Sequence, residues 1–273
     1  MDFASVIIRE GDRVTASGRV VRADTGDWFE PPMLVHGVGG LFRSVRPAWR
    51  GSIRIVGADF DDELKLSRRF ERDGAVEGYA TLTGVWAANR LQVEHQALPV
   101  RRHPAIPGWT TPPCPPPQGG WPHQTWVYDI QDVQTGERPA AAYLNLNYDL
   151  GDLQETGAAV MVTVFRPSED QAVLVVAAAD PEAVEAQLRP QLGQLLCVVP
   201  SKWTRAELEA VHADLRVHHD DWNLYRWGET STEEGQAKMI ASLTRMLPEA
   251  ASWAASLPAG LLDLEPWLTP ARN

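Results

Sequence analysis

Cysteine is nearly missing from this 273-residue chain, which holds only Cys114 and Cys197. Two thiols cannot form a zinc site of cysteines. Cys197, inside the apolar run LLCVVP, reads as a buried core thiol, so no disulfide framework is expected. Lysine is almost as scarce: Lys65, Lys202 and Lys238 stand among 25 cations, the rest being arginine. No stretch approaches the roughly 20 apolar residues of a membrane-spanning helix. The opening MDFASVIIREGD is acidic and lacks the apolar region of a secretory signal. These absences predict a cytoplasmic protein. Motifs of the common chemistries are missing too, including the nucleophile elbow, the phosphate loop and the paired zinc histidines. In HGVGG the dinucleotide spacing starts at Gly37 and Gly39, but the third required glycine falls on Phe42.

What is present is ordinary for a folded chain, with 44% hydrophobic and 22% charged residues. The net charge of −11 is uneven, because residues 1–105 are close to neutral and residues 106–273 carry the acidic excess. An acidic half repels phosphate backbones and favours basic partners. The run from Pro104 to Pro122, PAIPGWTTPPCPPPQGGWP, has no charge and is too rich in proline for a helix or a central strand. It predicts a rigid, polyproline-like linker. An α+β two-domain organisation follows: a small all-β barrel over 1–103, the linker over 104–123 and an acidic α/β domain over 124–273.

In the first half, β-branched alternation over 13–22, 52–56, 76–82 and 85–94, with glycines inside, suits a small closed barrel. An OB-like form is preferred, with an SH3-like barrel or a β-sandwich as alternatives. Ala88 and Asn89 are the expected hairpin turn, and Asp59–Arg72 the expected helical or looped insertion. In the second half, strand-like runs at 140–148, 158–165 and 171–178 precede alternating helix and strand patterns, which predicts an α/β sandwich with one mixed sheet. Asp180 with Pro181 starts a helix that Pro190 should end early. Thr204 with Glu207, and Ser231 with Glu234, read as capping boxes opening two further helices. The apolar tail LPAGLLDLEPWLTP should lie across a face of the second domain.

Three groups of residues are candidates for function. Arg43, Arg46, Trp49 and Arg50 interleave cations with aromatics, as single-stranded nucleic-acid binding requires. Trp109 and Trp121 sit in the linker, where indoles either meet a partner or pin the connector. His212, His218, His219, Asp220 and Asp221 are metal-ligand types within ten residues, although His212 and His219 are too far apart along a helix to meet. No cofactor is expected. The charge balance favours a non-enzymatic protein-binding protein, of adaptor, assembly or inhibitor/immunity type, that offers an acidic surface to a basic partner. A metal-dependent hydrolase at the histidines and nucleic-acid binding by the barrel are the alternatives.

Overall fold

A computed structural model describes residues 3–32, 51–62, 65–72, 74–99, 110–123 and 149–271. Arg43, Arg46, Trp49, Arg50, Trp109 and the run 140–148 lie outside these residues.

The first half closes into a five-stranded barrel built from β1 (Arg13–Ala23), β2 (Gly26–Glu30), β3 (Ile53–Val56), β5 (Ala75–Ala87) and β6 (Arg90–Ala97). Around the barrel the order is β1-β2-β3-β6-β5, and β1 pairs with β5 to complete the circle. All of these pairs are antiparallel except β3 with β6. Alternation fills the interior: Val14, Ala16, Val20, Phe29, Ile55, Leu82, Trp86 and Leu91 share one buried cluster. The hairpin between β5 and β6 turns at Ala88 and Asn89, both left-handed as a tight two-residue hairpin requires. The stretch after β3 contains no helix among its described residues. Asp59 Oδ1 accepts from the amides of Asp61 and Asp62 in a turn, and β4 (Ser67–Arg72) then pairs with β5.

The chain's ends cross between the halves. Phe3, Val6 and Ile7 pack on the core of the second half, while Trp267 and Leu268 enter the core of the barrel. There β13 (Thr269–Pro270) extends the sheet beside the start of β1. Trp267 Nε1 donates to the Ser17 carbonyl at 2.8 Å, and its ring lies 4.6 Å from that of Phe29. The tail therefore does not lie across a face of the second half: Leu261, Leu262 and Leu264 enter that half's core, and Trp267 to Pro270 become part of the barrel.

Where one mixed sheet was expected, there are two, each of three strands. The first pairs β7 (Ala159–Phe165) antiparallel with β8 (Val173–Ala178), and β8 parallel with β9 (Leu196–Pro200) across α1 (Pro181–Leu192). The second pairs β10 (Leu224–Ser231) antiparallel with β11 (Ala237–Leu243), and β11 parallel with β12 (Leu262–Pro266) across α3 (Pro248–Ser256). A helical segment over 149–155 precedes the first unit, and α2 (Arg205–His218) precedes the second. The two units share the order helix, strand, strand, helix, strand. Their sequences agree: Gln171-Ala172 recurs as Gln236-Ala237, Pro181-Glu182-Ala183 as Pro248-Glu249-Ala250, and LLCVVP at 195–200 as LLDLEP at 261–266. The spacing stays within 65 to 67 residues, which marks the second half as an internal repeat.

Two further readings need correction. Residues 237–243 form a strand rather than the helix that Ser231 and Glu234 seemed to open. Ala237, Met239, Ala241 and Leu243 alternate inward, and Gly235, with φ of 73°, makes the turn from β10. Pro190 does not end α1 early, since the helix runs to Leu192 and the Arg189 guanidinium then takes the carbonyls of Gly193 and Leu196. The Asp180 cap and the Thr204–Glu207 capping box are both present.

Cys197 is buried as expected, but it is not free: it is disulfide-bonded to Cys114 of the proline run. Residues 110–123 form a strap over the face of the first sheet, where Trp121 and Cys114 pack on Phe165, Val173, Val175 and Val199. Its ends are tied by hydrogen bonds from Thr110 N to Arg166 O and from Gln171 Nε2 to Trp121 O, both 2.7 Å.

Candidate functional site

The histidine region forms at the C-terminus of α2, whose amphipathic face buries Leu208, Val211 and Leu215 and leaves its last turn at the surface. His218 stacks on Trp222 with ring centroids 4.4 Å apart, and Trp222 packs on Trp253 at 4.9 Å. Trp253 Nε1 donates to Asp214 Oδ2 at 3.2 Å. His219 leans the other way, toward Trp227, and its Nδ1 donates to the Arg216 carbonyl at 2.6 Å. Asp221 lies 4.0 Å from His218 and Asp220 lies 3.3 Å from His219. Thus the two imidazoles face different neighbours, and His212 sits two turns back on the helix. Among the described residues no group of three metal-ligand side chains converges, here or elsewhere.

The second half as a whole carries a surface of carboxylates. Asp152, Glu155, Glu169, Glu182 and Glu233 are exposed and form no ion pair among the described residues. Others are neutralised locally: Arg205 bridges Glu229 at 2.7 Å and Glu209 at 3.1 Å, and Glu229 followed by Glu209 raises its pKa. Hydrogen bonds from the Thr204 amide and hydroxyl hold the Glu207 carboxyl below its ordinary range. Ser168 and then His123 do the same for Asp170.

On the barrel, outward residues of β2 and β3 bring an arginine to an aromatic. The Arg54 guanidinium lies 4.1 Å above the Trp28 ring and reaches the Thr25 carbonyl. Next to them Arg22 sits 4.2 Å over Phe60 while pairing with Asp27. Sequence reasoning counts Arg54 with the arginines before it but does not join it to Trp28, 26 residues away; only the β2–β3 register, with Trp28 opposite Arg54, does. Deeper on the outer face of β1, β2 and β5, Arg19 pairs with both Glu30 and Glu77, two carboxylates less than 5% exposed. A shallow cleft of about 280 Å³ lies between Gly57, Asp59 and Lys65 on one side and Val93–Gln96 on the other. Its floor is structural, since Gln96 there is spent on the Asp59 backbone.

Trp121 is half-buried against the first sheet. No described helix is long and apolar enough to cross a membrane. Compared with known proteins, the chain matches no family model, no curated protein and no solved structure.

Proposed function

We propose that this is a non-enzymatic protein-binding protein, of adaptor, assembly or inhibitor/immunity type, whose acidic α/β half meets a basic partner surface. The supporting observation is the set of exposed carboxylates on the repeat units that lack cationic partners among the described residues. Unpaired surface charge adds little to folding, whereas it steers and selects a complementary partner. In this reading the chain works as two domains, a barrel over 1–103 and the acidic half over 124–273, joined through the strap. Reversing charge at Asp220 and Asp221, or at Glu233 and Glu234, is expected to abolish low-salt capture of the partner. Capture undiminished in both variants counts against the reading.

A second reading is favoured by one specific observation. The barrel's strand order and its parallel β3–β6 closure fit an OB-like fold, whose β2–β3 face commonly carries ligands. Here that face presents Trp28 stacked under Arg54, and Arg43, Arg46, Trp49 and Arg50 fall between the two strands in the sequence. Such a face would stack and neutralise a single strand. Titrating tryptophan fluorescence with an oligonucleotide at two salt concentrations tests it, because such binding must weaken as salt rises.

A further inference from the structure

The Cys114–Cys197 disulfide joins positions 83 apart and fixes the middle of a strap that has few other ties. Residues 112, 113, 115, 116 and 117 are prolines, without amide protons to bond the sheet beneath. At its start the strap is held by the Thr110 amide and hydroxyl at Arg166, and near its end by Gln171 at Trp121. His123 adds an exposed contact to Asp170. Between those ends stand packing and one covalent bond. Cys114 is half-buried, whereas Cys197 is 1% exposed and lies beneath, so Cys114 is the more accessible half of the bond.

The repeat shows what the sheet needs without a strap. In the first unit Val175 pairs in register with Cys197; in the second the equivalent pair is Ile240 with Asp263. Val173 and Val199 correspond to Lys238 and Glu265 by the same spacing. That face of the second unit is polar, with Lys238 bound to Asp263 at 2.5 Å and both side chains partly exposed. At the positions the strap covers in the first unit, the second unit therefore carries polar side chains, while Ser242 farther along the same face is buried. The first unit has instead an apolar face, a cysteine at its centre and a strap to cover it.

We infer that Cys114–Cys197 is a reversible redox latch, which on reduction by a dithiol lets the 110–123 strap lift from the β7–β8–β9 sheet while the fold persists. One thiolate of the dithiol attacks Cys114 Sγ, the disulfide breaks, and Cys197 leaves as a thiolate that takes a proton. The second thiol of the reductant, deprotonated, then displaces Cys114, which is protonated in turn. The chain gains two electrons and two protons, and the reductant becomes a disulfide.

Alkylation of the full chain tests the latch. After reduction with a dithiol, Cys197 is expected to react with iodoacetamide at least about tenfold faster than global unfolding allows, with the far-ultraviolet circular dichroism unchanged. Reoxidation should restore protection. Cys114→Ser, at a half-buried position, should show the same fast Cys197 labelling without any reductant. Two results overturn the proposal: Cys197 labelled only at the rate of global unfolding in reduced protein and in C114S, or loss of the dichroism signal on reduction.

Discussion

Gly18 is the residue at which β1 changes neighbours, from β13 at its start to β2 at its end. A Cβ there would collide with the Glu30 carbonyl and lie 2.9 Å from the rings of Phe29 and Trp267. Gly18→Ala is expected to cost about 1–3 kcal/mol through overpacking, read as a lower urea midpoint; an unchanged midpoint would show that the tail does not sit where described. The second residue that matters on its own is Tyr225, packed at the edge of the barrel core against Gly51. Burial pushes its phenol up to about 12 from an ordinary 10.0. The folded chain keeps a proton that the unfolded chain loses, so stability should be whole below pH about 10 and fall as pH rises toward about 12. Unfolding midpoints measured across that range check it, and Tyr225→Phe should flatten the decline.

Among the elements, α2 shows how a cap is read and what it contributes. Thr204 and Glu207 satisfy each other's backbone amides, as the sequence pattern alone foretells. Thr204→Ala is expected to cost about 1 kcal/mol, detectable in thermal unfolding. Ser231 and Glu234 offer the same pattern and yet begin no helix, because Thr232 takes the amides of Glu234 and Gln236 in a turn. Residues 237–243 satisfy both periods on paper, and pairing with β10 and β12 decides for the strand. The tail was misjudged for a related reason. Its apolar residues announce burial but carry no address: its leucines join the second half through β12, and only the long-range fit of Trp267 beside Phe29 takes its last residues into the barrel. Trp267→Ala should destabilise the chain by about 3–5 kcal/mol, and the loss should appear in barrel probes such as Trp86 as well as in the second half.

For the molecule as a whole, the closed barrel, the charge asymmetry and most strand positions follow from local pattern, since alternation and turn residues act over a few positions. The disulfide, the repeat and the Trp28–Arg54 stack were harder to see. Each joins residues far apart in the chain, and the repeat preserves only short matches such as LLCVVP with LLDLEP. The acidic repeat, the barrel and the strap leave one claim at the centre, that the chain acts by binding a basic protein. The most direct test is a native pulldown at low salt with eluted proteins and metals identified together by mass spectrometry. The account predicts one dominant basic protein, released by salt, with no stoichiometric metal. A stoichiometric metal with no protein partner would contradict it and move the function to the histidines at the end of α2.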